Sequence, residues 1–423
     1  MLPGPFREGH PPIMYVRRSA AVLAAVTVIG TVTPAFAADS APSASPSSAV
    51  PSGLYGTADP TYDGVWRQSL ALIAQRRVDV RPAATAIDWL VGQQCANGAF
   101  AAFRAEPAKA CDAKTMVDTN STAAAVQALA AVGGHDTEIG RAKTWLRSVQ
   151  NKDGGWGYTA GGASDANSTS VVIGALNSSG GLHAPNVQKY GKSPYDALVK
   201  LSLPCADGGA FAYQPDKKGK LSANADATAA AVVAASGQGM LTARAGDKAA
   251  ADCADGSRLT PEQAAANGAA YLGKALEKDG YLKSALAGAE DQPDYGNTAD
   301  AVVALAVQGA QSAARKPLEW LEKNAVTWAK QNGPAAYAQL ILAAHATGTD
   351  PRDFGGTDLV KQLNATGPAP QSAANGPATA SATPSEQEKE DDDSPFGVWW
   401  YVGIFLVVGI GIGFLLSGRN KGK

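Results

Sequence analysis

From about residue 61 to residue 364 the apolar positions recur at helical spacing, and two kinds of helix alternate along the chain. One kind is amphipathic and carries an aromatic-Leu pair followed by a glycine turn. Trp89-Leu90 leads to Gln94, Gly98 and Phe100, and Trp145-Leu146 leads to Gln150, Gly154 and Trp156 at the same offsets. Tyr271-Leu272 leads to Leu276, Gly280 and Tyr281, which reads as a copy one residue shorter. Leu198 to Phe211 is a looser copy, and Trp320-Leu321 opens a fifth without the glycine turn. Arg141, Lys143 and Arg147 give these helices a polar side, which is expected to stay in water.

The second kind of helix follows each turn. It opens on a polar cluster that ends in threonine and continues with Ala, Val and Gly. Asp118 to Thr122 runs into Ala123 to Leu129, and Asp165 to Thr169 runs into Ser170 to Leu176. Asn224 to Thr228 and Asp294 to Thr298 open two more. The four threonines stand 47, 59 and 70 residues apart, the spacing of helix-pair repeats with loop insertions. Residues 62–75, with Trp66, Leu70 and Ile73 on one face, and residues 335–346 supply the first and last copies, with 358–364 as a short outer piece.

Helices of small residues, apolar on all sides, belong inside; amphipathic ones belong outside. The expected architecture is therefore all-α: an α/α toroid of about six helix pairs, an α6/α6 barrel. An open solenoid of the same pairs is the competing arrangement. Closure is favoured because the degenerate first and last copies would abut.

The ends have a different character. Residues 1–37 read as a signal peptide: Arg17 and Arg18 precede an apolar run, and Ala35-Phe36-Ala37 forms a small-residue cleavage site, with Met1 or Met14 as the start. Residues 38–60 are a Ser/Ala/Pro linker and 365–395 a second, acidic one. Residues 396–416 are apolar enough for a transmembrane helix, with Trp399, Trp400 and Tyr401 at one edge. Arg419, Lys421 and Lys423 in the tail 417–423 orient it tail-inward, so the expectation is a single-pass cell-membrane protein with its folded domain extracellular. Cys95, Cys111, Cys205 and Cys253 then lie in an oxidising compartment and favour disulfides. Of the three pairings, Cys95–Cys111 with Cys205–Cys253 closes the shortest loops and is expected. A net charge of −2 gives no reason to expect a nucleic-acid partner.

The element Gln150-Asn-Lys-Asp-Gly-Gly-Trp156, and Gln94 to Phe100 beside it, resembles the QW-type repeat of terpenoid cyclases and protein prenyltransferases. The layout is similar to bacterial cell-surface proteins with prenyltransferase or squalene-oxidase repeats. The resemblance covers about 61–364 and implies an α/α toroid, not an activity. Val117-Asp118-Thr119 with Ala123 to Leu129 also looks like the helix openings of cobalamin carriers of the transcobalamin and intrinsic-factor type. That likeness implies a corrinoid as ligand. Those carriers add a small β-domain after the barrel, where this chain has a linker and an anchor.

The catalytic signatures of these families are missing between 61 and 364. There is no Asp-x-Asp-Asp acid, no DDxxD pattern for magnesium and diphosphate, and no zinc set of Asp, Cys and His. Gly92 to Cys95 has the wrong order for a thioester, and the acidic run 390–393 lies in the linker. No catalytic residue, metal or cofactor is therefore expected.

What remains are the helix openers. In a toroid the inner helices run parallel, so Asp118, Asn120, Asp165, Asn167, Asn224, Asp226, Asp294 and Asn297 would ring one mouth. Phe103, Trp156, Tyr158, Phe211, Tyr213 and Tyr281 in the preceding loops would form aromatic walls. The same polar residues are also ordinary helix caps, and the aromatics ordinary packing between repeats. The leading expectation is a surface protein that binds a small molecule, with a corrinoid as first guess, for delivery to a membrane importer. An enzyme on an isoprenoid, lipid or glycan, and an adhesion or scaffold module, are the alternatives.

Overall fold

A computed structural model describes residues 51–246, 252–256, 258–285 and 289–372. Among them run twelve α-helices: α1 (Gly64–Arg77), α2 (Ala84–Gly92), α3 (Thr119–Val132), α4 (Asp136–Ser148), α5 (Ala166–Asn177), α6 (Pro194–Val199), α7 (Ala225–Ala235), α8 (Pro261–Glu277), α9 (Tyr295–Val307), α10 (Gln311–Asn332), α11 (Pro334–Thr347) and α12 (Leu359–Asn364). The odd-numbered helices pack one against the next, and α11 returns to α1, so they close a ring. The even-numbered helices cover its outside: α4 bridges α3 and α5, α8 bridges α7 and α9, and α10 bridges α9 and α11. The result is a toroid-like helical fold.

Alanine makes the inner ring feasible. Ala123, Ala125, Ala128, Ala227, Ala231, Ala301, Ala304, Ala338 and Ala344 are fully buried, and their small side chains let each inner helix touch neighbours on three sides. Each polar opener has a local task. The side chains of Asp118, Asp165, Asn224 and Asp294 accept the backbone N–H three residues on, at 2.6, 2.7, 2.8 and 3.0 Å. The threonine after each opener accepts an N–H from the preceding turn: Phe100 to Thr122, Trp156 to Thr169, Phe211 to Thr228 and Leu282 to Thr298. That bond clamps every glycine turn onto its inner helix.

The fourth clamp corrects the repeat alignment. Leu282 holds the position that Phe100 and Trp156 hold, and Gly280 the position of Gly98 and Gly154, so this copy is full length with leucine in the aromatic place. Tyr281 packs at a tilt against Trp320 instead, with ring centroids 4.7 Å apart. The turn glycines are required: Gly98 and Gly154 both have φ of +94°, and a Cβ there would lie 2.6 Å from the Arg141 carbonyl carbon and 2.8 Å from that of Ser193. Gln94 and Gln150 brace these turns, each donating to the carbonyl of its own glycine at 3.0 and 2.8 Å.

Two further expectations change. Lys143 is buried, not solvated; its Nζ donates to the Leu176 and Ser179 carbonyls at 2.9 and 3.0 Å and so caps the end of α5. The folded part also overruns both linker boundaries. Tyr55 is fully buried with its N–H on Gln68 Oε1, Gly56 donates to the Thr366 carbonyl, and Gln371 reaches Arg81 and Pro82. Both disulfides are present, Cys95–Cys111 and Cys205–Cys253, each with Cα atoms 5.6 Å apart. The segments 1–37 and 396–416, read as signal peptide and membrane span, lie outside the described residues. Among the described ones no helix is long and apolar enough to cross a membrane.

Candidate ligand-binding lumen

The outer helices cover the outward faces of the inner ring, so any inner-helix stripe that remains half-exposed must face a space within it. Such stripes occur at helical spacing: Asn167 and Val171 on α5; Asp226, Ala230 and Val233 on α7; Gly296, Asp300 and Val303 on α9; Gln339 and Leu342 on α11. On α3, by contrast, residues 119–129 are buried throughout. These partly buried stripes of α5, α7, α9 and α11 turn toward the inside of the ring. Its polar lining lies near the helix N-termini.

This geometry divides the expected site residues into three groups. Asp118, Asp165, Asn224 and Asp294 are the caps just described. Asn120, Asn167 and Asp226 each stand two residues after a cap; Asn120 is buried, while Asn167 and Asp226 lie on the inner stripes, Asn167 Nδ2 donating to Asp226 Oδ2 at 2.6 Å across the α5–α7 boundary. Asn297 is a local partner, donating its backbone N–H and its Nδ2 to Asp294. Of the aromatics, Trp156 and Phe211 are core residues and not walls. Both are fully buried, and the Trp156 indole donates to the Leu146 carbonyl at 2.7 Å. Tyr158 and Tyr213 are half-buried at the rim, where their carbonyls accept the first N–H groups of α3 and α5. Phe103 stacks on Trp89.

Two lining residues were absent from the expectation. Asp300 and Gln339 meet one turn deeper, Gln339 Nε2 lying 3.2 Å from Asp300 Oδ2. The signal for Asp300 was present in the repeat: it stands two residues after its threonine, where the other copies have Ala124, Val171 and Ala230.

The carboxyls here are held protonated to unusually high pH. Burial raises Asp226 to about 6, assisted by Asp294 and Asp165 and opposed by the Asn167 bond. Burial raises Asp300 to about 7, with Asp226 and Asp294 adding repulsion. Asp118 and Asp165 are also raised to about 6 by burial, against the pull of their capping bonds. Burial, and then the neighbouring carboxylates, push the Tyr158 and Tyr213 hydroxyls upward. Asp226 and Asp300 are half-exposed by surface yet crowded by protein on most sides, as expected of groups lining a deep concavity.

The opposite end of the ring is crossed by the chain. After α7 the chain crosses the C-termini of the other inner helices. Gln127 of α3 accepts the Leu241 N–H, Gly239 lies against Gly174 of α5, Arg77 of α1 reaches the Ala243 carbonyl, and Gly246 donates to Ala306 of α9. Arg77 also meets His345 of α11; burial lowers the pKa of both, and each feels a neighbouring guanidinium. Acids thus gather where the helix dipoles are positive and cations where they are negative.

No family model and no curated protein matches the chain. Solved structures that resemble it include a type II terpene cyclase from Scytonema (14% identity, TM-score 0.44, 67% of this chain and 74% of that one), a sugar epimerase from a ruminal bacterium (14%, 0.45, 71% and 93%) and a protein from Actinoplanes (15%, 0.30, 66% and 100%). Likenesses of this size carry no argument about fold or activity.

Proposed function

We propose that the chain is a small-molecule-binding protein whose ligand enters through the N-terminal mouth of the ring. The observation behind this reading is the half-exposed inner face of four successive helices, with Asn167, Asp226, Asp300 and Gln339 converging on one space. Convergent polar groups over apolar walls are the usual form of an organic-ligand site. The two disulfides suit folding in an oxidising compartment. In this reading the ring faces outward, is held by the single-pass segment 396–416, and hands its ligand to a membrane importer. A corrinoid is the first ligand to test, because its amide rim can both donate to and accept from the amide and carboxyl groups of the mouth.

The test is thermal unfolding of the protein against corrinoids, polyprenyl lipids and oligosaccharides. A ligand confined to the native state stabilises it by about 2.7 kcal/mol at a hundredfold excess over its dissociation constant. The expected result is a raised midpoint that Asn167→Ala with Asp226→Ala removes. A flat response across the panel would sink the binding reading and leave a surface scaffold. Enzymatic action on an isoprenoid, lipid or glycan is the second reading, and one observation favours it: Asp300 keeps a proton to about pH 7 inside the lumen. Turnover of a panel member that vanishes in Asp300→Asn while binding persists would decide for it.

A further inference from the structure

At the crossed end of the ring two guanidinium groups share one cavity of about 510 Å³. Arg77, the last residue of α1, lines it together with Ser236 and Gln238 just after α7 and with Thr242 and Arg244 of the crossing segment. Like charges repel, and Arg244 lies close enough to Arg77 to disfavour its charged form. Among the described residues neither guanidinium forms an ion pair. Asp79, an exposed carboxylate, acts on His345, which itself meets Arg77.

Capping, the usual work of an arginine near a helix C-terminus, accounts for only part of this pair. After α7 the chain fills the last carbonyls of that helix itself: the N–H groups of Ser236, Gly237 and Gln238 donate to Val232, Ala234 and Val233. Arg77 Nη2 donates to the Ala243 carbonyl at 3.4 Å. Arg244 is exposed, and its side chain has no partner among the described residues. Its backbone N–H donates to Gln238 Oε1 at 3.0 Å, which occupies the amide oxygen and leaves Nε2 as a donor. Thr242 Oγ1 accepts the Gly239 N–H at 2.9 Å and keeps its own hydrogen to give. The lining thus presents donors and positive charge, while these two acceptors are already taken.

We propose that this cavity binds an anion with two or more charged oxygens, a phosphate or a polycarboxylate, held between Arg77 and Arg244 with Gln238 and Thr242 as neutral donors. A guanidinium grips two such oxygens at once, and two guanidiniums balance a dianion. A cation meets only like charge there, and an apolar ligand would desolvate groups that it cannot pair. The site lies at the other end of the ring from the mouth and is independent of what binds there.

Two sources supply that chemistry. One is an anion free in solution. The other is the chain itself: residues 386–393 carry six acids and one lysine, a net charge of −5, which leaves +3 on the rest. Gln371, close to the end of the described residues, donates to the carbonyl of Arg81, four positions after Arg77. The 15 positions from Gln371 to Glu386 span up to about 50 Å, enough to bring the acidic run to the cavity.

Calorimetric titration of the full chain with pyrophosphate at low salt tests the site. The expected result is one anion per chain, bound about tenfold more weakly by Arg244→Gln and unchanged by Arg147→Gln, an exposed arginine on α4. Arg244→Gln is the deciding variant because its side chain holds nothing else, whereas Arg77→Gln also loses the Ala243 bond. The same titration on a chain whose six acids in 386–393 are changed to amides separates the sources. Binding about tenfold tighter than in the native chain identifies the acidic run as the resident anion; equal binding identifies a free one. No binding in either form, or binding that Arg244→Gln leaves unchanged, overturns the site.

Discussion

The two ends of the ring are built from the same parallel helices and do opposite things. At the C-termini the chain from Gly237 to Gly246 lies across the opening, tied to α1, α3, α5 and α9. At the N-termini the caps hold their own helices, and the residues beside them leave an acid-lined entrance. The two ends also differ in how their amide side chains are satisfied. Gln127 satisfies both ends of its amide, on Leu241 and Val171; Asn120 and Asn167 leave theirs half-satisfied.

The wall common to both ends sets the energy scale. Trp156→Ala removes a buried ring together with the indole bond to Leu146, and should cost about 3–5 kcal/mol in urea unfolding. Ligand response should survive in the fraction that folds. Gly174→Val attacks the closed end alone: a Cβ there would lie 2.8 Å from Gly239 Cα and 2.9 Å from Gln127 Oε1. The crossing segment must shift, at about 1–3 kcal/mol, with faster amide exchange at Leu241 and Ala243. If exchange there is unchanged, the segment is not what closes the ring.

The open end predicts the opposite sign. Asp226 and Asp300 have folded-state pKa values of about 6 and about 7, above the unfolded value, so the native state binds more protons than the unfolded one between about pH 4 and 7. Their contribution to stability is therefore largest at low pH and is lost as pH rises through their folded pKa values. Asp226→Asn with Asp300→Asn should raise stability at about pH 8 by about 1–2 kcal/mol and flatten this slope, read as unfolding midpoint against pH. A destabilised double variant at pH 8 would show that the acids are structural partners after all. The smallest effect belongs to a cap: Asp118→Ala should cost about 1 kcal/mol and leave ligand response intact, because its carboxyl serves the Ser121 N–H.

Much of the fold was legible because it is local chemistry repeated. The spacing of Trp89, Gln94, Gly98 and Phe100, and its recurrence at Trp145, located the glycine turns, and the threonines located the clamps. Tyr281 misled because an aromatic residue beside the correct position looks like a shortened repeat, whereas Leu282 makes the bond. Lys143 misled because charge on an amphipathic helix usually means water; here it meets helix-end carbonyls contributed by a different repeat. The site was half legible. The aromatics named as walls divided between core (Trp156, Phe211) and packing on other rings (Phe103, Tyr281), and caps and lining residues are chemically the same types two positions apart.

The sequence alone determined the helical repeat, the alternation of small-residue and amphipathic helices, the parallel openers and the pairing of nearest cysteines. Each follows from spacing within one repeat and from the intrinsic preferences of Asp, Thr, Gly and Ala. The tertiary structure decided that α11 meets α1, that the segment after α7 seals one end, and that Asp300 and Gln339 join Asp226 at the other. These depend on contacts between residues tens to hundreds of positions apart, such as Arg77 with His345 and Gln127 with Leu241. Periodicity places a side chain on a face of its helix. Only ring closure decides whether that face meets a neighbour or an open lumen.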